Sequence, residues 1–405
     1  MALYDIILVI LVRWWNDMKL LIIMFKFHLK IIYMILKFIP TNYKKIVFIS
    51  RQSNVNTLDF KLIQTEIKNN NSDYRIVTLT KKLNKTVLDY VLYYFHLYRQ
   101  MYHLATSKTC IIDSYCICVS VLKHKKNLKV IQIWHALGAI KKFGYQTLDK
   151  ESGHDRKLAE VMQMHQNYDY VVSGSRTMIP YFSEAFNVTA NKFIPIGLPR
   201  IDYLINDRKQ IKKRIYKKYP NIKRKKVILY VPTFRKNKGT HVSNLVKAID
   251  FNDYNLIVKA HPGKNITLKN NKVMSCPEFS SIELLCIADY IITDYSAISI
   301  EASILDKPIY FYLYDYIEYE EKNGVNVDLN KEMPGCVFKK SDELIRAIKK
   351  EKYDMSLLTK FRNKYITNQT GNSAKLLAQL IIYDKLEIGS DLIDDKNKEK
   401  IYQTN

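Results

Sequence analysis

The sequence predicts an α/β protein of two domains, each built on a parallel sheet covered by helices on both faces. Three observations carry this expectation. At 405 residues the chain is too long for one ordinary core, and its 47% apolar content is enough to fill two of roughly 170 to 200 residues. Short β-branched and aromatic runs alternate with longer mixed segments, the pattern of parallel strands joined by helices. A basic stretch, IKKRIYKKYPNIKRKK at 211–226, holds nine Lys and Arg, no acid and a helix-breaking Pro220, and it separates one set of runs from the other.

Residues 1–40 stand apart because they are far more apolar than the rest of the chain, with DIILVILV, RWWND and KLLIIMFKFHLKIIYMILKFIP. No stretch reaches the roughly 18 uncharged apolar residues of a spanning helix. On a helical wheel Lys19, Lys26, Lys30 and Lys37 fall within about 40° of one another. Such a lysine ridge, preceded by Trp14 and Trp15, suits a helix lying in a membrane interface with its ammonium groups toward anionic headgroups, the alternatives being a tilted transmembrane anchor with snorkelling lysines and a helix packed on the protein's own core. Neither a basic leader nor a small-residue cleavage site accompanies it, which argues against a signal peptide.

The first domain, 41–220, is expected to carry strands at IVFIS (46–50), RIVTLT (75–80), CIID (110–113), KVIQIW (129–134), YDYVVSG (168–174) and KFIPIG (192–197). The second, 221–386, carries KVILYVPT (226–233), YNLIVKAH (254–261), YIITD (290–294) and PIYFYLYD (308–315), and a polar tail from 387 to 405 is expected to fray. The six cysteines, at 110, 116, 118, 276, 286 and 336, form no CxxC pair or zinc spacing and read as reduced, buried thiols. The net charge of +25 calls for anionic partners. Nucleic acid is not expected among them, because no nucleic-acid module is present and the charge concentrates in the linker.

Four strand ends carry polar groups suited to phosphate chemistry. After QIW comes His135, succeeded by the flexible Ala136-Leu137-Gly138 and the cations Lys141 and Lys142. After ILYVP come Thr233 and Arg235, and IVKAHPG holds Lys259 and His261. After YII come Thr293, Asp294, Tyr295, Ser296 and Ala297, leading into a helix expected to be capped by Asp294 or Ser296, whose free N–H groups would suit a diphosphate. Ligands of open α/β sheets bind beyond the carboxyl ends of the strands, so these groups would converge if the domains face one cleft. Arg200, in GLPRIDYL, adds a forked donor for phosphate or carboxylate. Either imidazole could take a proton from an attacking hydroxyl or steady charge on a phosphoryl oxygen.

In order, IWHALGAIKKFG, GLPRIDYL, ILYVPTFR, VKAHP and ITDYSAISIEASILDKPIYFYLYD closely resemble the CDP-glycerol glycerophosphotransferases of teichoic acid synthesis, over roughly residues 105–385. The resemblance implies a GT-B arrangement of two Rossmann-like domains about a central cleft, the first for the acceptor and the second for the CDP-alditol donor. It implies action at the cytoplasmic face of the cell membrane, where the N-terminal segment read above would make the protein peripheral and monotopic. There a hydroxyl of a lipid-linked saccharide or glycerol phosphate acceptor would attack the glycerol-side phosphorus of CDP-glycerol and release CMP. It makes His135 the base and His261 the group that steadies the donor phosphate. Arg200, Thr233, Arg235 and the Asp294-Tyr295-Ser296 segment fall on donor positions.

Ala136 stands where the family has glycine, Phe234 where it has tryptophan, Lys259 where it has arginine and Glu301 where it has aspartate. The interval from His135 to the lysines is one residue longer than the common pattern. No extra N-terminal domain of the kind long polymerases carry is expected, which favours a short member adding one or a few glycerol phosphates, with polymerisation the alternative. No cofactor or metal is expected to be required. The competing readings are transfer of ribitol phosphate from CDP-ribitol and a GT-B glycosyltransferase using a nucleotide sugar.

Overall fold

A computed structural model describes residues 2–83, 86–233, 241–259, 272–388 and 391–393, with side chains from Lys19 to Lys385 within those ranges. The first sheet holds β1 (Asn42–Ser50), β2 (Arg75–Thr80), β3 (Ser107–Ile112), β4 (Lys129–Gln132), β5 (Tyr170–Val172) and β6 (Phe193–Ile194) in the order β2-β1-β3-β4-β5-β6. Every pairing in it is parallel. Successive residues along β1, β3 and β4 are buried without alternation, so both faces of the sheet are covered. The second sheet holds β7 (Lys226–Val231), β8 (Tyr254–Val258), β9 (Val273–Met274), β10 (Tyr290–Thr293), β11 (Ile309–Tyr312) and β12 (Val337–Phe338), again all parallel, in the order β12-β11-β10-β7-β8-β9.

Each sheet reverses its winding once. In the first the reversal lies between β1 and β3, and in the second between β7 and β10. Crevices form at such points because the connections leave in opposite directions.

The expected β4 run to Trp134 is too long, because the strand stops at Gln132. The basic segment forms a helix, Arg208–Lys218, that buries only Ile211 and Ile215 and ends before Pro220. The tail does not fray at once at 387: Leu386–Ile388 pairs antiparallel with Asp391–Ile393. The six cysteines are buried and unbridged.

Several contacts hold the sheets together. The helix Ser373–Tyr383 crosses back to pack on α2 (Leu58–Asn70) of the first sheet. The buried Asp202 fastens its start by accepting from the N–H groups of Ser373 (3.0 Å) and Ala374 (2.7 Å). The segment after His135 adds to the second domain as an edge: Lys142 N–H donates to the Gly324 carbonyl (3.0 Å) and Asn326 N–H to that of Ile140 (2.8 Å). One apolar core runs through this contact and contains Ile133, Leu137 and Ile140 together with Ile298 and Ile300.

The N-terminal segment is a single helix, α1 (Ala2–Leu36). Among the described residues no helix is long and apolar enough to cross a membrane. The helix is not free all round: Leu29 and Tyr33 are buried, and His28 bonds Tyr94 (3.0 Å) and Tyr98 (2.8 Å) on α3 (Val87–Thr106). Its opposite side exposes Leu20, Leu21, Met24, Phe27, Ile31 and Met34, and Phe38 in the turn that follows is exposed too.

Candidate active site

His135 reaches its place through a strained turn. Trp134 adopts a φ of 56°, the left-handed region that a bulky side chain enters only when its surroundings hold it there. Here the indole stacks on Phe143 (5.1 Å between centroids, 17° between planes) and meets Phe186 edge-on, while the backbone N–H of Trp134 donates to Gln132 Oε1 (2.8 Å). Behind it lies His165, to which the sequence assigns no role. That ring is buried and bonded to the Tyr168 hydroxyl (2.9 Å), and burial pushes its pKa down to about 3, so it packs as a neutral ring. The turn carries His135 off the sheet toward the crevice between β1 and β3, where groups just beyond both strands meet it.

There the ring's Nδ1 lies 3.1 Å from the Asp113 carbonyl, which can only accept. The proton therefore sits on Nδ1, and Nε2 carries the lone pair that can take a proton. The Gln52 side-chain amide, just beyond β1, lies 3.3 Å from the same Nδ1 and accepts there through its oxygen when Nδ1 carries the proton. The Asp113 carboxyl is buried nearby, and burial pushes it up to about 6 against the pull of the Ser50 and Ser114 hydroxyls.

Arg200 does not stand open as a donor. Its backbone N–H and its Nε grip the buried Asp59 at 2.9 and 3.0 Å, and Nη2 bonds the same carboxylate. Its Nη1 donates to the carbonyl of His135 itself (3.1 Å) and lies 3.5 Å from Glu301 Oε1. One guanidinium thus joins α2, the histidine turn and the helix Ile298–Ser303 of the second domain. Burial pushes Glu301 up to about 7 despite Arg200, and its Oε2 has no hydrogen-bond partner among the described residues. Gly138 completes this contact: a Cβ there would lie 2.4 Å from Ile300 Cδ1, so a larger residue would require the Ile300 side chain to move aside.

The second sheet's reversal point is built from Thr233 and Asp294. The buried Asp294 carboxylate accepts from the Thr233 N–H (2.9 and 3.0 Å) and from its hydroxyl. Thr293 is buried with its hydroxyl on the Val231 carbonyl (2.8 Å), and Tyr295 is buried, stacked on Tyr319 (3.8 Å) with its hydroxyl on Asp315 (3.1 Å). Ala297 occupies the N-cap position of Ile298–Ser303 and Asp294 is turned inward to the end of β7, so of the two expected caps it is Ser296 whose hydroxyl accepts from a helix N–H, that of Ile298 at 3.4 Å. Ser296 and Ala297 are the part-exposed residues of the segment.

Lys259 extends beside β8, its ammonium on the Cys276 carbonyl (3.1 Å), its pKa lowered by burial. Lys141 and Lys142 lie on the interdomain edge, the former bridged to Val325. Arg235 and His261 lie outside the described residues. Among the described residues no cluster of three or more His, Cys, Asp or Glu could hold a metal.

Sequence reasoning missed Asp59, Asp113 and Gln52. The signal for the first two was available in kind: an acid in the first turn of α2, the helix that follows β1, and another closing CIID just beyond β3.

The profile of the CDP-glycerol:poly(glycerophosphate) glycerophosphotransferase family matches residues 31–383. A teichoic acid ribitol-phosphate primase of Bacillus spizizenii strain W23 is 30% identical over 85% of this chain and 92% of its own. A teichoic acid glycerol-phosphate primase of Bacillus subtilis strain 168 is 33% identical over 71% and 76%. The solved wall teichoic acid polymerase TagF superposes with a TM-score of 0.68 at 20% identity, covering 85% of this chain and 89% of that one. The chain therefore belongs to the CDP-glycerol:poly(glycerophosphate) glycerophosphotransferase family.

Proposed function

We propose that this protein transfers glycerol phosphate from CDP-glycerol to a hydroxyl of a lipid-linked acceptor in teichoic acid synthesis, in a GT-B cleft between its two sheets. The observation that carries the reading is the Arg200 contact, in which one guanidinium holds both the His135 carbonyl and Glu301 of the opposite domain. It fixes the strand-end imidazole against the domain that the resemblance assigns to the donor.

Each group then has a task. Nε2 of His135 takes the acceptor's proton as that oxygen bonds to the glycerol-side phosphorus. The bond from that phosphorus to the bridging oxygen breaks, and the electron pair leaves with CMP. The donor diphosphate is assigned to the part-exposed Ser296–Ala297 end of β10 and to Lys259. Because the adjoining helix has six residues, it offers N–H groups more than a long macrodipole. Thr233, Asp294 and Tyr295 shape this end from beneath. His261 and Arg235 keep the roles that the resemblance gives them, and the reaction is assigned no metal or cofactor.

Attachment to the cytoplasmic face of the membrane is assigned to α1, whose exposed apolar side faces away from the core. Deleting residues 1–40 would then release the protein to the soluble fraction.

The donor test incubates the protein with CDP-glycerol or CDP-ribitol and a synthetic lipid-linked disaccharide, with mass spectrometry of the product. Glycerol phosphate addition with release of CMP is the expected result. Addition of ribitol phosphate alone would overturn the donor assignment, an outcome to which the broad alignment with the ribitol-phosphate primase gives weight. Turnover of a nucleotide sugar would overturn the reaction type.

A further inference from the structure

Helix α1 sorts its residues into three bands. Leu29 and Tyr33 face the protein, the apolar residues from Leu20 to Met34 face outward, and Lys26, Lys30 and Lys37 lie on one border between them. That border is turned toward the helix Arg156–Val161, where the Lys26 ammonium reaches the Val161 carbonyl. A cavity of about 990 Å³ opens along it.

The wall of this cavity is unbalanced in charge. Lys30, Lys37, Lys123 and Arg156 line it against a single acid, Glu160. Arg156 is held by Asp149 (3.0 Å), whereas the three lysines make no ion pair among the described residues. Beside the cavity, burial and then the neighbouring Lys30 charge lower the pKa of Lys26. The amides of Gln163 and Gln166 add neutral donors, and Met34 joins the rim to the exposed apolar band.

We propose that this cavity binds a phosphate group carried by a membrane lipid, held at headgroup level while the apolar band of α1 contacts the acyl layer. A helix lying in the interface keeps its lysines at the depth of the phosphates, so the cavity mouth and a lipid phosphate meet without either leaving its layer. The inference rests on membrane attachment through α1. The cavity shares no residue with the donor site. Its ligand chemistry, a phosphate ester on a lipid, is common to anionic phospholipid headgroups and to a diphosphate-linked acceptor lipid.

The test is co-sedimentation of the full chain with three kinds of vesicle: phosphatidylcholine alone, phosphatidylcholine with phosphatidylglycerol, and phosphatidylcholine with a long-chain isoprenyl diphosphate at matched charge. Wild type should prefer both anionic vesicles. The triple variant Lys30→Gln, Lys37→Gln, Lys123→Gln should lose that preference by roughly 100-fold while binding neutral vesicles as before, since each lysine near an anionic surface adds roughly fivefold. Lys123→Gln, on a loop outside α1, should lose roughly fivefold and serves if the triple variant does not fold. Preference for the isoprenyl diphosphate over phosphatidylglycerol would assign the cavity to the acceptor lipid, and equal preference to headgroups in general. A triple variant that keeps its anionic preference overturns the site. Wild type that binds all vesicles equally overturns the site but leaves attachment standing, and wild type that binds none overturns both.

Discussion

The end of β4 lies one strand from the reversal point of its sheet and the end of β10 lies at the reversal point of its own, and the two treat polar side chains in opposite ways. At β4 the left-handed Trp134 turns the chain outward and leaves the His135 ring half-buried, held through Nδ1 and its own carbonyl. At β10 the chain continues inward, and Thr293, Asp294 and Tyr295 are spent on β7, Thr233 and Asp315. A polar residue at a strand's carboxyl end can therefore be a reagent or a fastening. What decides is whether its hydrogen-bonding capacity is left over after the fold is made.

This contrast sets the order of expected effects. The largest belongs to His135→Ala, which removes the proposed base from a ring the core does not need. Turnover of CDP-glycerol should fall by about 10³ to 10⁴-fold, with the urea midpoint unchanged. A variant that unfolds readily but turns over normally would make His135 a fastening too. Next comes Arg200→Leu, which leaves Asp59 and Glu301 buried without their counter-ion. Its expected cost is about 3–5 kcal/mol of stability by urea denaturation, with activity lost even below the unfolding transition because the His135 turn comes loose. Normal stability would mean that the guanidinium is not the tie between the domains. Asp294→Asn should cost less, about 1–3 kcal/mol, because the amide can accept only part of what Thr233 donates. If it instead abolished turnover at full stability, the β10 end would be a reagent site like that of β4.

The strand-level plan of both sheets was legible because buried parallel strands are continuous apolar runs, and VFIS, CII, YVV and ILYV announce themselves. The two-residue strands β9 and β12 were not, since two residues carry no period. His135 could be singled out as an ionisable ring ending an apolar run, but the turn that exposes it depends on Phe143 and Phe186 stacking on Trp134, contacts that no local pattern encodes. Arg200 is recognisable as a donor for phosphate or carboxylate, but not which carboxylate it meets: Asp59 lies 141 residues away and looks, in sequence, like an ordinary acid at a helix start. Periodicity misleads at α3. Its apolar Leu88, Val91, Leu92 and Phe95 fall on one helical face, as a core stripe would, yet all four are exposed beside α1.

The smallest expected effect tests the seam between the two regions. Glu301 ionises with difficulty, its pKa raised to about 7 by burial, and folding therefore favours its protonated form. A carboxyl whose folded pKa is raised contributes stability below its unfolded value near 4.5, and that contribution is lost as pH climbs through about 7. Glu301→Gln keeps a neutral side chain of the same length at every pH. Relative to wild type, the variant should gain stability between pH 5 and pH 8 by on the order of 1 kcal/mol, measured by urea denaturation at both values. A wild-type stability that rises over this interval through Glu301 would mean that the carboxylate is the favoured form. Arg200 would then be held between two full charges, and the β4 end would be tied to the second domain more tightly than burial of Glu301 implies.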